Sequence, residues 1–166
     1  TLARGSMIVD MTSGLPTETR AIAEAITGRG IAMTDAPVSG GVRRAITGDL
    51  AIMLGGEASA CDRAEPVLKP MARVIFRTGV LGSGQAMKAL NNMVSAAGFV
   101  AGIEALLIGK KFGLDPAVMV DVLNASTGMN NSTQNKFKQF VPSGTYGGGF
   151  LLELMAKDLG IAMDVA

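Results

Sequence analysis

Over the first half of the chain, short apolar runs alternate with stretches whose apolar residues recur at helical spacing. Met7-Ile8-Val9-Asp10-Met11 reads as a strand that enters a turn at Thr12-Ser13-Gly14, and Pro16 is placed to open a helix. From Thr17 to Arg29, Ile22, Ala23 and Ile26 share one helical face, and Gly28 and Gly30 punctuate the end. Ala32 to Ala36 is a second strand stopped by Pro37. Leu50 to Leu54 is a third, closed by Gly55-Gly56. A helix from about Ser59 to Met71 and a strand at Arg73 to Phe76 follow. Short strands alternating with helices predict an α/β sheet layer.

After Gly84 the pattern changes and no further strand is predicted. Gln85 to Lys111 reads as one long helix, apolar nearly all round, as in a helix buried between two bodies of protein. Asp115-Pro116 is an N-cap followed by proline at the first helical position, opening a helix to about Ala125. Asn130 to Ser143 is polar and ambiguous, compatible with a short helix ending near Pro142. Phe150 to Ala166 is helical in pattern. The fold class expected is therefore α/β followed by all-α, with domains at 1–83 and 84–166. The first strand has little before it to pair with and the chain ends mid-pattern, so a segment of a longer protein is expected, the remainder completing the sheet.

Composition narrows the chemistry. With 48% hydrophobic residues in 166, the chain can bury a sizeable core. A net charge of +1, one tyrosine and no tryptophan argue against a nucleic-acid partner. There is no histidine, and Cys61 is the only cysteine. Ser-His-Asp and Cys-His catalysis, Cys/His zinc sites and an internal disulfide are excluded, which suits a reducing, cytoplasmic location. No metal site is expected. Any acid–base group must be a lysine, a carboxylate or the tyrosine. The opening residues lack a signal-peptide pattern. The uncharged stretch between Lys88 and Glu104 contains Asn91, Asn92 and Ser95 and falls short of the roughly 18 apolar residues of a spanning helix, so no membrane partner is expected.

Four places could carry chemistry. In GSGQAMKALNN (82–92), Lys88, Asn91 and Asn92 stand at i, i+3 and i+4 and share a helical face among apolar neighbours. A lysine desolvated there loses some preference for its charged form and becomes a usable proton carrier; equally, it could extend its ammonium to water while the asparagines bond locally. Reading Gly82-Ser83-Gly84 as a dinucleotide fingerprint fails. The third glycine position is Met87, and about twenty residues on there is only Glu104, inside a helix. In DAPVSGG (35–41), Ser39, Gly40 and Gly41 offer backbone N–H groups and a hydroxyl to a small carboxylate, or form an ordinary turn. Thr12 and Ser13 lie at the carboxyl end of the first strand, the edge where open α/β sheets bind ligands, or serve as turn and cap residues. Lys157-Asp158 interrupts an apolar terminal helix as a functional pair or an exposed charged one. Asn131-Ser132-Thr133 fits a glycosylation acceptor but has no secretory signal beside it.

The order of these pieces is more specific than any one of them. VDMTSGLP (9–16), DAPVSGG (35–41), GSGQAMKALNN (82–92) and MAKDLGIA (155–162), with LAIMLGG (50–56) and FGLDP (112–116), resemble the β-hydroxyacid dehydrogenase family over essentially the whole chain. That family includes 3-hydroxyisobutyrate dehydrogenase and tartronate semialdehyde reductase. The resemblance implies the C-terminal part of a Rossmann-type domain, a long interdomain helix and a helical domain. It implies NAD or NADP as cofactor, a small 3-hydroxy acid or its semialdehyde as substrate, and a homo-oligomer built through the helical domain. It assigns catalysis to Lys88 and substrate binding to Asn92, with Asn91 beside it. Substrate carboxylate binding falls to Ser39, Gly40 and Gly41, and cofactor contact to Thr12, Ser13 and Lys157. Reduction of a tartronate or succinic semialdehyde or of an imine, or a non-catalytic scaffold of the same fold, are the alternatives. The sequence departs from the family in lacking its N-terminal G-x-G-x-x-G unit and its last helices; the choice between NAD and NADP resides in that missing unit.

Overall fold

A computed structural model describes residues 2–141, 144, 145, 147 and 149–166. The elements in order are β1 (Met7–Asp10), α1 (Pro16–Thr27), β2 (Ala32–Asp35), β3 (Val38–Ser39), α2 (Gly41–Thr47), β4 (Leu50–Gly55) and α3 (Ala58–Leu68). A 3-10 turn (Lys69–Met71) then leads to β5 (Ala72–Gly79), α4 (Ser83–Phe112) and α5 (Pro116–Asn124). A π-helical turn (Thr133–Phe137), α6 (Lys138–Phe140) and α7 (Leu152–Val165) complete the chain. They form two compact units: one holds the residues up to Asn91 together with Ala156–Ala166, the other Asn92–Met155. The change from strands to helices comes at α4, as the sequence pattern indicates, whereas compactness assigns the first turns of α4 and the end of α7 to the sheet-bearing unit.

In that unit the sheet is mixed. β1 and β2 run parallel from Met7 opposite Ala32 to Asp10 opposite Asp35. β2 meets β4 antiparallel at Asp35 and Gly55, and β3 continues in the same register with Val38 opposite Ile52 and Ser39 opposite Ala51. Thus β2 and β3 are one lane interrupted at Ala36-Pro37. Proline has no N–H for the ladder, but its carbonyl still accepts from Met53 N at 3.0 Å. β5 flanks β4 in parallel on the other side. Ala36, Leu50, Ile52 and Leu54 pack with Cys61, Ala64 and Leu68 of α3 to form the core. A second cluster joins Ala89 of α4 to Ile161 and Ala162 of α7.

Two short elements were not visible in the sequence. Ser39 closes the strand β3 and Gly41 opens α2, where only a turn is expected. Val42 and Ile46 of α2 are 75% and 81% exposed, so the helix has no buried stripe to leave a period in the sequence. The reading of α4 as apolar and buried all round also needs correction. Val94, Val100, Leu107, Ile108 and Phe112 are 56–84% exposed within this chain. By length and composition alone α4 could cross a membrane. That corrects the expectation that the stretch falls short of a spanning length; its start is held by hydrogen bonds to protein groups, described below.

The helical unit has its own core of Leu106, Val120 and Phe137. Asp115 caps α5, its Oδ1 accepting from Ala117 N at 2.7 Å. Phe99 meets the Phe137 ring edge-on at 5.4 Å, and Gly102 makes room: a Cβ there would overlap that ring. In the ambiguous polar stretch, Asn130 Oδ1 accepts from the N–H groups of Ser132 and Thr133 at 2.8 and 3.2 Å and starts helical structure. The π-helical turn that follows shifts the apolar phase, which is why no helical period is legible there. The end expected near Pro142 lies outside the described residues.

Gly84 sits where α4 leaves the sheet. A Cβ there would collide with the Met53 carbonyl and stand 2.8 Å from Asp35 Oδ2. Gly84→Ala is expected to cost about 1–3 kcal/mol by overpacking. Gly28→Ala, at ordinary φ −61° and with open space around it, is expected to be neutral or stabilising by about 0.5 kcal/mol. Urea unfolding of both variants beside the parent checks the contrast.

Candidate functional site

Two aspartates end the parallel strands β1 and β2, and both reach the start of α4. Asp35 is fully buried. Its Oδ1 accepts from Gly82 N and its Oδ2 from Gln85 N, each at 2.8 Å, so its carboxylate caps a helix of 30 residues. Burial raises its proton affinity above that of an ordinary aspartate, and the backbone N–H groups of Gly82 and Gln85 work against that rise. Gly55 leaves the space: a Cβ there would overlap Asp35 Oδ1.

Asp10 faces the same helix through a side chain. Its Oδ2 accepts from Gln85 Nε2 at 2.9 Å, and Gln85 Oε1 accepts from the Thr19 hydroxyl at 2.7 Å. Asp10 Oδ1 accepts from Thr12 N at 3.0 Å and from the Thr12 hydroxyl at 2.7 Å. Gln85 is 1% exposed. One turn later on α4 comes Lys88, which is half-buried. Burial lowers its pKa from the ordinary lysine value; the negative charge of Asp158 opposes this and the positive charge of Lys157 adds to it.

Lys157 and Asp158 behave differently from one another. Lys157 Nζ donates to the Ser13 carbonyl at 2.6 Å and lies 2.9 Å from Asp158 Oδ1. Its side chain is 44% exposed against 4% for Asp158. The pair is therefore not the simple exposed one: its acid is buried.

The fold thus brings Thr12, Ser13 and Lys157 together, with Lys88 in the electrostatic field of the Lys157–Asp158 pair. Ser39, Gly40 and Gly41 lie further along the β2–β3 lane. Gly40 and Gly41 have φ of +143° and +63°, which favour glycine. The start of α2 has no side-chain cap, and the position of the Gly41 Cβ is open space, so backbone N–H groups there can meet an outside acceptor. Asn91 is half-buried and Asn92 is buried, Asn92 falling in the helical unit. The rejected dinucleotide reading of Gly82-Ser83-Gly84 has a structural counterpart: N–H groups at this helix start are already taken by Asp35. Among the described residues, no group of three or more His, Cys, Asp or Glu could hold a metal ion.

Sequence reasoning passed over Asp10, Thr19, Asp35, Gln85 and the buried state of Asp158. A signal was available for three of them. Asp10 and Asp35 each close an apolar strand, and Gln85 interrupts an apolar helix start; a polar residue in such a place needs a buried partner.

Comparison with known proteins fits this geometry. Residues 1–82 match the family described as the NAD binding domain of 6-phosphogluconate dehydrogenase. Residues 82–166 match the family described as the NAD-binding of NADP-dependent 3-hydroxyisobutyrate dehydrogenase. The chain is 41% identical over 163 residues to the 3-hydroxyisobutyrate dehydrogenase of Pseudomonas aeruginosa, covering 95% of this chain and 55% of that protein. It is 37% identical over 160 residues to the 2-(hydroxymethyl)glutarate dehydrogenase of Eubacterium barkeri, covering 96% and 53%. Among solved structures, the Mycobacterium tuberculosis 3-hydroxyisobutyrate dehydrogenase with L-serine superposes with a TM-score of 0.88 at 36% identity, over 98% of this chain and 58% of that one. The chain therefore spans about half the length of the relatives it matches.

The burial of Lys88 has a consequence for stability. A lysine whose folded pKa is depressed weakens the fold at every pH below that value, and the penalty disappears as pH rises from there to the ordinary lysine value. Lys88→Met is expected to unfold at higher urea than the parent near neutral pH, with the gap narrowing at about pH 10. Equal midpoints at both pH values would contradict the burial.

Proposed function

The chain belongs to the β-hydroxyacid dehydrogenase family, and from that premise we propose that the protein is an NAD(P)-dependent oxidoreductase interconverting a small 3-hydroxy acid and its semialdehyde. The observation that carries the reading is Lys88. It is half-buried, has lowered proton affinity, and stands one turn beyond a helix start that Asp35 and Gln85 lock to the strand ends. Such an amine is poised to move a proton at a hydroxyl.

The residues at the end of β1 fit the nicotinamide end of the cofactor better than its phosphates. Thr12 and Ser13 are small and polar, and the charge of Lys157 is already balanced by Asp158. When bound, the cofactor supplies the hydride chemistry. The chain's own residues do the rest. Thr12 and Ser13 line the nicotinamide, and Lys157 holds their loop. Ser39 and the N–H groups of Gly40 and Gly41 fix the substrate carboxylate. Asn91 and Asn92, about one turn beyond Lys88, hold the substrate hydroxyl. Lys88 takes the hydroxyl proton in oxidation and returns it to the forming hydroxyl in reduction. 3-Hydroxyisobutyrate heads the substrate list; 2-(hydroxymethyl)glutarate and L-serine, named with relatives, share its 3-hydroxy acid core. A homo-oligomer belongs to the same proposal, supported by the exposed Leu107, Ile108 and Phe112 of α4, and a cytoplasmic location is proposed with it.

Turnover of the full-length protein on these acids, followed by nicotinamide absorbance with NAD and with NADP, tests the reading. Lys88→Ala is expected to lose about 10²–10⁴-fold in kcat while still folding. In the oxidation direction, the parent's kcat/KM is expected to rise with pH as Lys88 loses its proton and to level off below the ordinary lysine value. An unchanged kcat in Lys88→Ala overturns the assignment.

A further inference from the structure

Gln85 bonds both strand-end aspartates, Asp35 through its backbone and Asp10 through its side chain. Its backbone N–H donates to Asp35, its Nε2 to Asp10, and its Oε1 accepts from Thr19, all while it is 1% exposed. The orientation of its amide is decided by chemistry. A carboxylate can only accept, so the NH₂ must face Asp10, which leaves the carbonyl to the Thr19 hydroxyl. Asp10 then has Oδ2 occupied and presents Oδ1 to Thr12, engaging both its N–H and its hydroxyl. With its proton committed to Asp10, the Thr12 oxygen presents lone pairs to whatever lies beyond. Gly14 completes the packing, since a Cβ there would stand 3.3 Å from Gln85 Nε2 and 3.4 Å from Thr12 Oγ1. Gln85 and Lys88 are three residues apart on one helix, about 4.5 Å along its axis.

We propose that Gln85 is a positioning residue: through Asp10 it sets the place and the hydrogen-bonding polarity of Thr12 relative to Lys88, so that Thr12 meets the cofactor as an acceptor for a carboxamide N–H. The role rests on the function proposed above. An amide suits it because it bridges a carboxylate and a hydroxyl without itself titrating. Lys157 restrains the next residue of the loop from α7, by its bond to the Ser13 carbonyl.

The test reverses the polarity of the bridge in the full-length protein. Gln85→Glu keeps the shape and the acceptor for Thr19 but opposes two carboxylates, so the bridge forms only when one proton is shared between them. The variant Asp10→Asn with Gln85→Glu restores one donor and one acceptor across the gap, and still leaves Oδ1 for Thr12. Nicotinamide fluorescence gives the cofactor Kd across pH, steady-state kinetics separates kcat from KM, and thermal unfolding reports the fold. Gln85→Glu is expected to bind NADH or NADPH at least about tenfold more weakly near pH 8, recovering toward about pH 5. The double variant is expected to return to within about threefold of the parent at both. If Gln85→Glu does not fold, Thr19→Val carries the test: it removes the bond that fixes the amide and should weaken cofactor binding about three- to tenfold. Unchanged cofactor Kd and pH dependence in the folded Gln85→Glu, or in Thr19→Val if that carries the test, overturns this role alone. So does a double variant no better than Gln85→Glu. A parent that neither binds cofactor nor turns over overturns the proposed function and this role together.

Discussion

The buried carboxylate of Asp35, set against the first N–H groups of α4, is the constraint on which the rest of the arrangement depends. A charge with no exposure to water is costly unless hydrogen bonds and local potential replace hydration. Here two backbone donors at 2.8 Å do so, aligned with the positive end of a 30-residue helix. Two orphan donors of the helix are satisfied in the same stroke. The close approach needs glycine twice, at Gly55 and Gly84, because a Cβ at either would strike Asp35 or the β4 backbone. Where β2 ends, the long helix must begin.

Once that junction is fixed, the polarity of its neighbours follows. Gln85 donates its backbone N–H to Asp35 and turns its amide to Asp10, and Asp10 accepts from Thr12. The chain from Thr19 to Thr12 is a paired network, buried at Thr19 and Gln85 and reaching the surface at Thr12, and its buried part specifies geometry more tightly than apolar packing of the same volume. Lys88 lies just beyond it and is itself unfavourably solvated. A lysine held in that condition weakens the fold near neutral pH.

The helical unit obeys simpler rules. It is assembled from a capped helix, an edge-to-face phenylalanine pair and an asparagine that starts the polar segment. Several apolar residues of α4, Leu107, Ile108 and Phe112 among them, are exposed within this chain.

The sequence by itself determined most of the succession of elements and narrowed the candidate reactive groups. Without histidine and with one cysteine, lysine was a leading acid–base candidate, and Lys88 stood out because its neighbours are apolar. β1, β2, β4 and β5, with α1, α4 and α5, were legible because each carries a local period or a cap such as Asp115-Pro116. Elements without a buried stripe, β3 and α2, were not, nor was the π-turn that breaks phase. Only the tertiary structure decided that Asp10 and Asp35 are partners of Gln85, which lies 75 and 50 residues away along the chain. It also decided that Asp158 is buried while Lys157 is not. The physical reason is that local pattern reports which way a side chain tends to face along its own element, whereas burial and pairing of a polar group depend on what another element places opposite it.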